Sequence, residues 1–206
     1  MKRFAMLTYG VICYAVFFAT FLYAIGFIGN LIVPKSIDSG PSTSLGAALL
    51  VNTLLLTVFA VQHSVMARPW FKRAWTRIVP VAAERSTYVL FSSLALILLF
   101  ALWQPMGGII WAVQNNAARI ALYSAYAFGW VLVLWSTFAI DHFDLFGLRQ
   151  TWRYFRGVDY EPPKFKQPIL YRIVRHPLYV GWLFVMWATP TMTIAHLFFA
   201  VVTTLY

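Results

Sequence analysis

Apolar residues run along this chain in long blocks, with polar residues gathered between them. The first block extends from about Phe4 to Val33, interrupted by Gly10, Gly26, Gly29 and Asn30. Others run from about Ser44 to Val61, Thr87 to Trp103 and Ile120 to Ile140. Each is close to the roughly 20 apolar residues that a helix needs to cross about 30 Å of hydrocarbon, so the pattern predicts four spans. A further apolar stretch runs from Pro177 to Tyr206 with Pro190 inside it. Proline removes a backbone donor and clashes with the preceding helical turn, so a hairpin of two helices is expected there. A second limb of about 16 residues covers roughly 24 Å and falls short of the bilayer. The apolar pattern is still running at Tyr206, which leads to the expectation that the hairpin is cut short and the natural chain continues.

Composition narrows the class. Hydrophobic residues make up 61% of the 206 and charged ones 11%, against roughly 25% charged in a soluble domain. One cysteine excludes a disulfide framework. The expectation is an all-α, polytopic integral membrane bundle forming one domain over 1–206. The net charge of +10 would suggest nucleic acid in a soluble protein. Here 14 of the 16 basic residues fall at the N-terminus and in the second and fourth loops, leaving Lys35 and Arg119 on the other side. The positive-inside rule puts the N-terminus and those loops in the cytoplasm, with no nucleic-acid partner implied. The first block is too long for a signal-peptide core, and Cys13 within it reads as a small packed side chain.

The segment 68–80 is amphipathic. Trp70, Phe71, Ala74, Trp75 and Ile78 share one helical face, while Lys72, Arg73 and Arg77 share the other. A helix lying in the interface against membrane lipid is the simplest reading. The stretch of about 141–176 is expected to be a cytosolic loop.

Ionisable groups collect at the same ends of the spans. Gln62 and His63 close the second span, Glu84 and Arg85 precede the third, and Asp141, His142 and Asp144 follow the fourth. Such groups near membrane depth pair with one another or serve function, and four helix ends carrying them suggest a polar pocket open to the cytosol. The simpler alternative is that they sit where helices meet water. His196, alone in the last apolar stretch, reads as a hydrogen-bonded structural histidine, and no metal-ligand spacing is present.

The most specific motif is Arg175-His176-Pro177-Leu178-Tyr179-Val180-Gly181. Pro177 suits a first helical turn with His176 at the cap. The free backbone donors and positive dipole end there favour an anion, reinforced by Arg175. Tyr179 offers an aromatic face to a cation or planar base, and Gly181 leaves room for a ligand near the backbone.

This motif ahead of an apolar hairpin resembles the cofactor motif of the isoprenylcysteine carboxyl methyltransferases and their membrane relatives. The segments Gln62–Pro69, Glu84–Tyr88 and Phe143–Leu148 are similar to the nurim-like branch, whose bacterial members include enzymes that methylate methanethiol to dimethyl sulfide. The resemblance covers roughly Gln62 to Tyr179. It implies S-adenosylmethionine as cofactor, held by Arg175, His176, Pro177, Tyr179 and Gly181, a small thiol substrate, and a bacterial inner membrane. It also implies an acidic pair beyond the hairpin that helps hold the cofactor. Methyl transfer is an in-line displacement and the thiolate is the better nucleophile. His63 or His142 is therefore expected as base, Asp141 as the group orienting a histidine, Arg85 or Arg68 as favouring thiolate, and Glu84 as fixing Arg85 or the histidine. A lipid or prenylated thiol substrate, and a non-catalytic membrane scaffold like nurim, stay open at this point.

Overall fold

The computed structural model describes residues 1–41, 43–162 and 174–206; the basic positions Lys164, Lys166 and Arg172 of the fourth loop lie outside them. In chain order the described elements are α1 (Lys2–Gly29), α2 (Leu45–Ala67), α3 (Pro69–Trp75), α4 (Val81–Leu102), β1 (Ile109–Ala112), α5 (Asn116–Ile140), α6 (His142–Leu145), α7 (Leu148–Arg156), α8 (Pro177–Trp187), β2 (Thr191–Thr193) and α9 (Ile194–Leu205). Helices α1, α2, α4 and α5 are the four long enough and apolar enough to span a membrane. Their outer faces carry Ile12, Leu22, Leu54, Val58, Leu94, Ile97, Phe128 and Val131, all exposed. A helical bundle coated with large apolar side chains is an integral membrane protein.

Lipid tails are as apolar as leucine, so helices in a bilayer are held by close packing and interhelical hydrogen bonds. Both are present. The Tyr126 hydroxyl of α5 donates to the Ile25 carbonyl of α1 at 2.6 Å. Asn52, fully buried on α2, bonds both the carbonyl and the N–H of Gln104. The central core takes Phe27 from α1, Leu55 and Leu56 from α2, Leu99 from α4, Trp130 from α5, Val185 from α8 and Phe199 from α9. Side-chain caps start four of the described helices: Ser44 for α2, Asn115 for α5, Asp141 for α6 and Thr193 for α9.

The hairpin breaks near Pro190 as the pattern predicts. The break is not a simple turn, however: β2 pairs antiparallel with β1, placing Ile109 opposite Thr193 and Trp111 opposite Met192. Span boundaries also differ: α1 stops at Gly29, where Asn30 turns left-handed as its C-cap, α5 starts at Asn116, and the largest shifts are in α2 and α4. Helix α2 continues through Gln62 and His63 to Ala67, and α4 begins at Val81, so Glu84 and Arg85 lie inside its opening turns. Polar residues in a helix that projects past the apolar layer do not end it; they mark where its environment changes. The amphipathic segment is helical only over Pro69–Trp75. Phe71 and Trp75 pack toward Met66, Tyr88 and Val89, while Trp70 and Ile78 stay exposed.

The expected loop after the fourth span holds two short helices. Helix α7 lies along the first half of α1, with buried Thr151 against Gly10, and also contacts α4. Gly147 makes the turn between α6 and α7 at φ 88°, where its missing Cβ would lie 2.6 Å from the Ser86 nitrogen. The Ser86 hydroxyl donates to the Gly147 carbonyl at 3.2 Å. A bare glycine is therefore what lets this turn seat on α4.

Candidate active site

At the end of the bundle that carries the N-terminus, a cavity of about 510 Å³ opens between α3, the start of α4, the end of α5, α6, α7 and the segment that follows α7. This volume lies in the small-molecule range of about 300–1,000 Å³. Of the five expected catalytic residues, Glu84, Arg85 and Asp141 border it; Lys72, Asp144, Gln150, Tyr154, Asp159 and Tyr160 also line it.

Arg85 is anchored by its Nε, which donates to the Leu145 carbonyl at 2.7 Å, and its guanidinium carbon sits 5.0 Å from the Tyr88 ring centroid. Glu84 shares no hydrogen bond with Arg85 or with either histidine among the described residues, so the expected brace is not there. His63 does not line the cavity. It lies one layer inward, with Tyr88 Oη 3.0 Å from both its ring nitrogens and Ser92 Oγ 3.2 Å from its Nδ1. Ser92 donates its own proton to the Tyr88 carbonyl at 3.0 Å, so it accepts from Nδ1–H and the Tyr88 hydroxyl meets the Nε2 lone pair. Arg85, Tyr88 and His63 thus form a continuous polar line from the cavity wall into the bundle.

Asp141 does not orient His142. Its Oδ2 accepts from Arg149 at 2.5 Å and its Oδ1 from the Asp144 amide at 3.2 Å. Its backbone, at φ 137°, joins α5 to α6 in a conformation that L residues rarely adopt. Strain of about 1–3 kcal/mol of this kind persists where surrounding bonds enforce it and clusters at functional sites. The two bonds made by the Asp141 carboxylate supply that constraint.

His142 is turned away from the cavity into the α1–α5 interface, 2% exposed. Its ring stacks on Phe138 at 4.2 Å between centroids. Nδ1 lies 2.8 Å from Thr137 Oγ1 and Nε2 2.8 Å from Tyr14 Oη. Thr137 donates to the Leu134 carbonyl at 2.6 Å, so it accepts from Nδ1–H, and Nε2 accepts from Tyr14. Both ring nitrogens are committed, and burial holds the His142 pKa below the usual imidazole range. This is a neutral histidine braced between two helices.

Asp144 accepts from the Tyr160 hydroxyl at 2.8 Å. Desolvation, then the neighbouring carboxylate, push the Tyr160 phenol up to about 12, so it remains a donor at neutral pH. Gln150 Nε2 donates to the Asp144 carbonyl, while Gln150 Oε1 is buried and accepts no hydrogen bond among the described residues.

Helix α8 opens with His176 as N-cap and Pro177 as its first residue, matching the sequence pattern. Arg175, His176 and Tyr179 are exposed, with the His176 and Tyr179 rings edge to face at 5.7 Å. Gly181 is buried against Gly129 of α5: a Cβ on it would lie 2.9 Å from the Gly129 carbonyl and 2.8 Å from Val133 Cγ2. Its local role is a close helix crossing, a use the sequence reading did not consider. Gly129 meets Phe184 and Val133 meets Gly181, so the helices are antiparallel. At about 1.5 Å per residue, Pro177 is then level with Thr137, one turn from Asp141 at the cavity. The motif and the cavity occupy the same end of the bundle.

Sequence reasoning missed Tyr14, Tyr88, Arg149, Gln150 and Tyr160 as parts of these networks. Tyr14 is 128 positions from His142, and nothing in local spacing signals such a pairing. The Glu84–Tyr88 and Phe143–Leu148 segments were the available pointers: the first contains Tyr88, and the second leads to Gly147 and the α6–α7 turn.

No family model matches the chain, and no solved structure matches it. Similar proteins do exist. The methanethiol S-methyltransferase of Crocosphaera subtropica is 58% identical over 206 residues, covering 100% of this chain and 81% of that protein. The methanethiol S-methyltransferase of Mycobacterium tuberculosis is 50% identical over 206 residues, covering 100% of this chain and 84% of its own length. Nurim of Rattus norvegicus is 32% identical over 172 residues, covering 79% of this chain and 65% of nurim.

Proposed function

The chain belongs to the methanethiol S-methyltransferase family, and from that premise we propose that it methylates methanethiol to dimethyl sulfide with S-adenosylmethionine as donor. The observation that carries this reading is identity of 50–58% across the whole chain to relatives of that name. The polar cavity supports it, because it is of ligand size and lies at the same end as the Arg175–Gly181 motif. The distribution of basic residues supports an inner-membrane protein whose cavity end faces the cytoplasm.

The donor set fits such a ligand. Carboxylates outnumber cations on the cavity wall and suit a cationic centre, and the buried Gln150 oxygen is short of one hydrogen bond. When bound, S-adenosylmethionine supplies a methyl carbon activated by its sulfonium, and attack by the thiol sulfur releases a proton and leaves a neutral thioether. The chain's task is alignment and exclusion of water. Arg175, His176, Pro177 and Tyr179 are the proposed donor-holding segment, with Tyr179 available to stack on a base, while Gly181 sets the segment close against α5. Glu84 and Arg85 are the proposed ligand-contacting charges of the cavity. His63, hydrogen-bonded to Tyr88 one layer behind Arg85, is the proposed base that finally takes the thiol proton. His142 and Asp141 act as positioning groups through α1, α5 and α6.

The test is product formation by membranes carrying the chain, supplied with donor and methanethiol. Release of dimethyl sulfide supports the reading. Methylation of a prenylated cysteine instead, or donor binding with no dimethyl sulfide, overturns it.

A further inference from the structure

Four carboxylates surround the cavity, and three have a local explanation. Asp141 is bound by Arg149, Asp144 accepts from Tyr160, and Asp159 is exposed to water. Glu84 is half-buried and, among the described residues, has no hydrogen bond or ion pair. Beside it, Arg85 uses Nε on Leu145, and its two terminal nitrogens have no partner among the described residues. Gln150, 8% exposed on the same wall, leaves Oε1 without a donor while its Nε2 is engaged. Half-buried charges and buried amide oxygens are costly unless something pairs with them.

The complement of this arrangement is specific. A carboxylate acceptor, a two-pronged guanidinium donor and an amide oxygen match an ammonium next to a carboxylate, the two charges of an α-amino acid. Methanethiol carries neither charge. A simple anion would meet Arg85 and be repelled by Glu84.

We propose that the cavity binds the amino-acid end of the methyl donor, with Glu84 and Gln150 Oε1 accepting from its ammonium and the Arg85 terminal nitrogens donating to its carboxylate. This rests on S-adenosylmethionine being the donor, and it assigns these two charges to the donor rather than to the thiol. The adenosine end is then left to the α8 motif, whose first turn is level with the cavity end of α5.

The probe pair is S-adenosylhomocysteine and 5′-methylthioadenosine, which share the adenosine and thioether but differ in the amino-acid end. Their affinities are measured by calorimetry on the full chain in lipid nanodiscs. The wild type binds the first more tightly, and Glu84→Gln weakens it by about 10-fold or more while leaving methylthioadenosine unchanged, the scale of one charged hydrogen bond. Glu84 makes no bond within the described protein, so the fold tolerates this change, and unaltered methylthioadenosine binding reports that it does. Arg85→Gln gives the same selective loss. If both variants keep the wild-type preference, or weaken both ligands alike, the amino-acid end is bound elsewhere and the proposal is wrong. A wild type that binds neither ligand and makes no dimethyl sulfide overturns the donor itself, a result distinct from failure of the cavity assignment alone.

Discussion

Substituting Gly147 with alanine tests whether the α6–α7 turn is what closes the cavity. At φ 88° a residue with a Cβ carries backbone strain of about 1–3 kcal/mol. The new methyl would also lie 2.6 Å from the Ser86 nitrogen and 2.9 Å from its Cα, both backbone atoms of α4. Relieving that overlap means moving the turn off α4, at roughly 1–3 kcal/mol more. The turn carries Asp144 and leads into Gln150, so the wall moves with it. Thermal unfolding in one detergent should show Gly147→Ala melting about 5–15 °C below wild type, at a few degrees per kcal/mol, with weaker S-adenosylhomocysteine binding. Gly46→Ala is the control: nothing lies within 4 Å of a Cβ there, so it should match or slightly exceed wild type. A Gly147→Ala protein that melts and binds like Gly46→Ala would refute the claim that this glycine pins the turn.

His142, buried and held below the usual imidazole range, favours its neutral form in the folded protein. Its contribution is therefore fully present above about pH 6.5 and is lost as pH falls below that; melting scans from pH 7.5 to 5.5 should show a smaller acid loss in His142→Gln than in wild type. Gly181→Ala should lower the melting temperature of the ligand-free protein through the α5–α8 crossing, by about 1–3 kcal/mol equivalent; a stable variant with impaired ligand binding would make Gly181 a ligand contact instead. His176→Ala, at an exposed cap, should leave stability within about 0.5 kcal/mol while weakening S-adenosylhomocysteine binding, and unchanged binding would remove the α8 motif from the donor site.

The four spans were legible because a bilayer demands long apolar runs, and each of them is visible without structural help. Their ends beside the cavity are less so: Gln62 and His63 continue α2, and Glu84 and Arg85 belong to α4, because a helix outlasts the apolar layer it crosses. Helices α6 and α7 look like loop in the sequence, because α6 is a single turn and α7 is short with Arg149, Arg153 and Arg156 along it, and their order depends on Gly147 and Thr151 seating on other helices. The β1–β2 pairing joins segments about 80 positions apart and leaves no periodic trace. Within the site, Glu84, Arg85 and Asp141 were picked out by charge at helix ends. Gln150 and Tyr160 were not, since their role comes from packing around Asp144. The histidines show the limit most clearly: residue type marked both, yet their partners Tyr14 and Tyr88 decide what each can do.

The most direct test of the account supplies nanodisc-embedded chain with S-adenosylmethionine bearing a deuterated methyl group, together with methanethiol. Headspace mass spectrometry follows dimethyl sulfide while S-adenosylhomocysteine is counted in solution. The account predicts dimethyl sulfide carrying one labelled methyl, formed in equal amount to S-adenosylhomocysteine. Donor that binds but leaves no labelled dimethyl sulfide, or label found instead in extracted lipid or protein, would contradict it.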